Sequence, residues 1–241
     1  MYAMKNVLVL FSIVIIIALF SSCSPKFYAP NTHNVPLISH KEDVQITVSG
    51  NVDQVELQGA AAVSDGISVI LSGGLFIPKN EENGNGGSGK FIEAGPGFFL
   101  PVSSNFVFET YGLIGIGSFE NHLPGSTEET NTKGDISARL TRFGIQPNFG
   151  YKSEYFSIGI SSRFVHVGYR DIKGDLIFEG IDQIQYLKDH RSNFMIEPAL
   201  TLRGGIEKAK LQLQVGKSFN VSNSDFRQDD LLMTVGLFFK L

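Results

Sequence analysis

One cysteine and five histidines are the side chains through which this chain could do covalent or proton-transfer chemistry. In "SSRFVHVGYR", His166 follows Ser162 by four residues. On a strand those two share a face but stand about 13 Å apart along it, out of hydrogen-bond reach. His190 follows Asp189 directly, a pairing suited to acid–base work, though such residues in long links are ordinarily solvated surface. His122 also falls in a long link, and His33 and His40 fall in an N-terminal linker. There is no phosphate loop, dinucleotide fingerprint or metal-spaced histidine cluster. The glycines of "GLIGIG" (Gly112, Gly115 and Gly117) sit within a strand. On these residues no cofactor and no metal is expected, and the chain reads as a non-enzyme.

Cys23 is the only thiol, so no internal disulfide and no cysteine metal site can form. It follows Lys5, the apolar run "VLVLFSIVIIIALF" from Val7 to Phe20, and the small residues Ser21 and Ser22. An apolar run of that length suits a secretory signal and is short for a bilayer span. The arrangement ending in Cys23 resembles a bacterial lipoprotein signal. That resemblance implies a diacylglycerol on the Cys23 thiol, which becomes the first residue after cleavage. The expected organisation is a signal peptide at 1–22, a periplasmic linker at 23–42 and one domain at 43–241.

After the signal no apolar stretch is long enough for a membrane helix. A formal charge of −4 without basic runs argues against nucleic acid as a partner. The pattern is period two. In "LLMTVGLFFKL", Leu231, Met233, Val235, Leu237, Phe239 and Leu241 make an apolar face, and Leu232, Thr234, Gly236, Phe238 and Lys240 a mixed one. "KLQLQVGKSF" and "QVELQGAAAV" alternate in the same way, as strands with one dry and one wet face do. Ten strands are expected: 43–50, 53–63, 66–78, 90–101, 106–120, 135–151, 155–171, 193–206, 209–220 and 229–241. The links "SDG", "VSSN", "KSE" and "IEK" are short; those after strands three, five, seven and nine are long.

Short links on one side and long links on the other are the pattern of outer-membrane barrels. The stretch 43–241 resembles the small outer-membrane β-barrel proteins of Gram-negative bacteria, the porin-like superfamily. Phe238, Phe239 and Leu241 look like the C-terminal signal read by the barrel-assembly machinery. The fold class is then all-β, an antiparallel up-and-down transmembrane barrel of ten strands. Its lipid at Cys23 is expected in the periplasmic leaflet of the outer membrane. Enzymes exist among such barrels: proteases with Asp and His near the rim, and lipid A hydrolases with a His–Ser pair on the outer face.

Charges cannot face hydrocarbon cheaply, so those within strands should point inward. Glu56, Glu93, Glu109, Arg139, Arg142, Arg163, Glu197 and Arg203 are the expected interior network. Balanced signs favour mutual pairing over a selective pore. The longest outer link, "DLIFEGIDQIQYL", carries Leu176, Ile177, Phe178, Ile181, Ile184, Tyr186 and Leu187. It is expected to be ordered, to cap the barrel and to serve as a recognition loop, with Ile177, Ile181 and Ile184 spaced as one helix face or the whole as a hairpin. The functional expectation is a non-enzymatic barrel lipoprotein with a largely plugged interior and a structural or surface-binding role. Its partners would be membrane lipid and an unidentified extracellular ligand. A rim-histidine hydrolase, a narrow pore and a lipid-tethered, lipocalin-like carrier remain as alternatives. Apolarity on the outside of the strands would eliminate the carrier; a histidine within reach of Asp or Ser at the outer rim would restore the enzyme.

Overall fold

The structure is a computed structural model that describes residues 25–80, 86–125 and 131–241; the signal and Cys23 lie outside the described residues. In chain order the strands are β1 (Val44–Gly50), β2 (Gln54–Ser64), β3 (Ile67–Asn80), β4 (Gly86–Pro101), β5 (Phe106–Leu123), β6 (Gly134–Lys152) and β7 (Phe156–Gly174). The short β8 (Ile177–Phe178) and β9 (Ile181–Asp182) follow, then helix α1 (Gln183–Asp189). The chain ends with β10 (Ser192–Gly205), β11 (Ala209–Lys217), β12 (Phe219–Asn220) and β13 (Leu231–Lys240). Each long strand pairs antiparallel with its predecessor, and β13 pairs with both β11 and β1. The ring of β1–β7, β10, β11 and β13 therefore closes as a ten-stranded barrel, the expected number in the expected places.

Alternation decides which side each residue faces. In β13 the set Leu231, Met233, Val235, Leu237 and Phe239 is exposed or nearly so, and Leu232, Thr234 and Phe238 are buried. The same holds at Leu57, Ile114 and Leu211, each more than half exposed on the exterior. An apolar exterior around a polar interior suits hydrocarbon, and it excludes the inward-apolar carrier.

The stretch expected to be a linker lies inside the barrel. Residues 27–38 are almost all buried and run the length of the lumen. At the long-link mouth, Asn121 Nδ2 donates to the Lys26 carbonyl (2.9 Å), and the Phe27 N–H donates to the Arg227 carbonyl (2.9 Å). At the short-link end, Lys152 Nζ donates to the Leu37 carbonyl (2.9 Å). This strap makes the interior glycines intelligible. Gly150 and Gly159 are directly opposite on β6 and β7. A Cβ at Gly150 would lie 2.6 Å from Leu37 Cδ2, and one at Gly159 2.9 Å from Val35 Cγ1. Only backbone without a side chain leaves room there. The strap enters the lumen at the long-link mouth, where Lys26 lies, and not beside the short turns.

The longest link is ordered and caps that mouth. β8 and β9 form a tight hairpin through Glu179 and Gly180, both at positive φ (53° and 77°), the geometry of a two-residue hairpin turn. Asp182 then caps α1, accepting from the N–H groups of Ile184 (2.8 Å) and Gln185 (3.1 Å). Ile177 and Ile181 therefore belong to the hairpin and only Ile184 to the helix, so the three do not form one helical face. Leu176 and Leu187 are fully buried, Phe178, Ile184 and Tyr186 partly buried against the same cluster, and Ile181 half exposed. Phe27 of the strap sits at the centre of this cap, its ring 5.8–6.3 Å from those of Phe119, Tyr186 and Phe226.

Candidate active site

The lumen holds seven of the eight charged residues expected there, all buried, and two arginines and two glutamates form its centre. Arg142 Nε donates to Glu93 Oε2 (2.9 Å), and a second guanidinium nitrogen also bonds that carboxylate. Arg163 stands 3.5 Å from Glu93 and 3.9 Å from Glu197. The strap supplies the rest of the network. Arg163 donates to the carbonyls of Asn31 (3.0 Å) and Thr32 (2.9 Å) and to Asn31 Oδ1 (2.8 Å). Glu56 accepts from the Thr32 N–H and hydroxyl, and Glu109 from the Ile38 N–H (2.6 Å). Arg203 makes no salt bridge among the described residues: its Nε donates to Gln212 Oε1 (2.8 Å), and it lies over the Phe238 ring.

Arg139 is the exception. It lies on the exterior, 3.4 Å from Asp171, with most of its side chain exposed. Placing it inward together with Arg142 requires a bulge in β6 between them, and there is none: the register irregularity nearby has its extra residue on β7, where Asp171 and Ile172 stand against Ala138. Arg139 keeps the outward parity of Phe143 and Ile145, and Arg142 the inward parity of Gln146, so unbroken alternation along β6 sets the two on opposite faces.

None of the interior charges is reached by a histidine positioned for chemistry. Buried His33 Nδ1 lies 2.7 Å from Ser161 Oγ, with its backbone held by Gln214. Asp189 accepts from Gln185 (2.8 Å), and His190 turns its Nδ1 to the Tyr186 carbonyl (2.8 Å), so these adjacent residues do not work together. His122 pairs with Asp135 at the rim. Among the described residues no metal-binding group of His, Cys, Asp and Glu occurs.

The pair the sequence does not disclose is His166 with Ser192. His166 Nε2 and Ser192 Oγ are 2.8 Å apart. β7 supplies the histidine and the first residue of β10 the serine; in the register Phe194 is opposite His166 and Ser192 opposite Gly168. The two side chains thus point to the exterior and meet diagonally across Gly168, which has no side chain to intervene. Phe143 of β6 lies directly opposite His166, ring centroids 4.9 Å apart, and fixes the imidazole plane. Ser192 is exposed. When Nε2 accepts the Ser192 proton, Nδ1 carries the other one. That Nδ1 is buried and has no hydrogen-bond partner among the described residues.

Height on the barrel matters as much as contact. His166 stands ten residues along β7 from Phe156, and Lys90 ten along β4 from Leu100. Ten residues of strand at about 3.3 Å each, tilted about 40°, rise about 25 Å, the height of the apolar band of such barrels. Phe143, Ile145 and Phe194 on the same outer wall are exposed, and the wall turns polar at Thr141, Gly168 and Ser192. The pair lies at the upper edge of the hydrocarbon.

The architecture defines an outer-membrane-type β-barrel. No family model and no curated protein matches the chain. Among solved structures it is similar to LpxR from Salmonella typhimurium, at 10% identity and a TM-score of 0.36, covering 83% of this chain and 99% of that one. At that distance the likeness concerns the barrel fold alone. The expectation of a non-enzyme is withdrawn on the site itself: His166 lies within reach of Ser192 at the outer rim, the arrangement that restores the enzyme.

Proposed function

We propose that this barrel is an outer-membrane hydrolase that cleaves acyl esters of membrane lipid at the upper edge of the apolar band, with Ser192 as nucleophile and His166 as general base. The observation that carries this reading is the 2.8 Å contact between Ser192 Oγ and His166 Nε2 on the lipid-facing wall. His166 Nε2 takes the hydroxyl proton as Ser192 Oγ bonds to the ester carbonyl carbon. The tetrahedral adduct collapses, the C–O bond to the alcohol breaks, and the proton passes from His166 to the departing alkoxide. Water, deprotonated by the same imidazole, then releases the fatty acid and restores Ser192. The height of the pair favours a lipid ester, because a glycerol or sugar ester lies where the hydrocarbon ends. The test is fatty-acid release from mixed vesicles by the refolded full chain. Ser192→Ala and His166→Ala should each reduce release to background while keeping the heat-modifiable gel shift of a folded barrel. Undiminished release by the folded Ser192→Ala protein would refute the assignment.

We further propose that Cys23 carries a lipid, as its signal-like context suggests. Lys26 at the long-link mouth favours an anchor on the side of the long links, three residues away. A chain in which Cys23→Ala still incorporates labelled palmitate would end that proposal.

A further inference from the structure

Outside the hydrolytic pair, the exterior wall carries a row of cations. Lys90 is paired with Ser118, Ser118 with Arg139, and Arg139 with Arg170, across β4, β5, β6 and β7. With strands about 4.8 Å apart, the row spans about 14 Å. Lys90, Arg139 and Arg170 are all exposed. Arg139 and Arg170 are directly opposite one another, an arrangement of like charges that destabilises a sheet. Asp171, 3.4 Å from Arg139, is the one acid paired with the row among the described residues. A groove of about 800 Å³ opens beneath the cations, walled by Leu57, Leu75, Ile92 and Ile116. It lies on the outer wall, within the height of the apolar band. Cations at one end and an apolar wall below match an amphiphile with an anionic head and hydrocarbon chains.

We infer that Lys90, Arg139 and Arg170 with this groove form a binding site for a phosphate-bearing lipid of the surrounding leaflet. The guanidinium forks of Arg139 and Arg170 suit a phosphate, which accepts two parallel hydrogen bonds from each, and the phosphate relieves their repulsion. Arg170 and His166 are on the same face of β7, separated only by Gly168 among outward positions. A lipid whose phosphate rests on the arginines therefore brings its ester region along the wall toward Ser192. The inference deepens the hydrolase reading by naming its substrate as a phosphorylated lipid; the binding itself does not require that reading.

The experiment separates the two. Full-length protein carrying Ser192→Ala, which cannot turn lipid over, is placed in phosphatidylcholine nanodiscs doped with phosphatidic acid, and the lipid retained is counted by native mass spectrometry. Phosphatidic acid should be retained in preference to phosphatidylcholine. Arg139→Gln with Arg170→Gln should weaken that preference by about tenfold, the loss expected when a charge-assisted hydrogen bond is removed. Lys217→Gln, which removes an exposed cation on β11, should leave it unchanged. If the double variant does not fold, Lys90→Gln alone should still lower retention. Equal retention of both lipids, an unaffected arginine variant, an equal loss in Lys217→Gln, or full competition by inorganic phosphate at the same concentration would each overturn the site. If retention behaves as expected while Ser192-intact protein releases no fatty acid, the lipid site stands and the hydrolase reading falls.

Discussion

Two histidine–serine pairs of nearly the same geometry occupy opposite sides of one barrel wall. His33 and Ser161 are 2.7 Å apart in the lumen, and His166 and Ser192 are 2.8 Å apart on the exterior. The inner pair joins strap to wall: His33 is 2% exposed, and its backbone is bonded on both sides to Gln214. No substrate could reach it without expelling the strap. The outer pair joins two strands already bonded to each other, so it adds little to the fold, and its serine faces the bilayer. The contact distance alone does not separate a structural link from a catalytic one; access and redundancy do.

The largest expected effect falls on the inner side. Arg163 is fully buried and binds the strap at Asn31 and Thr32 and the wall at Gln146. Arg163→Ala should leave Glu93 and Glu197 short of a cation and cost about 3–5 kcal/mol, as breaking a buried pair does. Urea unfolding of the micelle-refolded barrel would measure it, and a loss below about 1 kcal/mol would mean that the strap does not depend on Arg163.

Next in size is Gly150→Leu. The new side chain collides with Leu37, and overpacking of this kind costs about 1–3 kcal/mol. The expected result is a displaced strap and ion conductance in planar bilayers where the parent protein is closed. A silent variant would contradict a lumen sealed by residues 27–38.

A smaller effect is expected at the short-link rim, where Asp43 ties the end of the strap to the barrel. Burial raises its carboxyl pKa. The Ser39 N–H, then Lys152 and Lys240, more than offset this and hold it below the ordinary aspartate value. A depressed pKa stabilises the fold above the unfolded value, and the contribution is lost as pH falls through the folded one. Asp43→Asn should therefore cost about 1 kcal/mol near neutrality and nothing in strong acid. Unfolding midpoints at both pH values would measure it, and an equal loss at both would show that the charge is not the cause. The smallest effect sharpens the comparison itself: Ser161→Ala should leave fatty-acid release unchanged.

The strands were legible because alternation is local: the outward set Leu231, Met233, Val235, Leu237 and Phe239 can be read from one segment. The hydrolytic pair was not. Ser192 lies 26 residues from His166, and their contact depends on the register between β7 and β10. A tight turn fixes register, but the link across residues 175–191 is too long to do so, leaving Ser162 as the only serine on His166's own strand close enough to suggest a partner. The strap was missed for a different reason. "PNTHNVPLIS" has no period, and its Asn, Thr and His side chains read as solvated until the lumen supplies their partners. Arg139 and Arg142 are three residues apart, so both can face the lumen only if a bulge lies between them; β6 alternates without one and turns Arg139 outward.

The most direct test is whether Ser192, and not Ser161, is a nucleophile. Full-length protein in vesicles would be treated with a lipophilic fluorophosphonate, digested, and its modified peptide mapped by mass spectrometry. The expected result is a single adduct on Ser192, lost in His166→Ala and kept when Ser161 is replaced by Ala. Absence of any adduct on Ser192 in the folded protein, or labelling that survives the loss of His166, would contradict it.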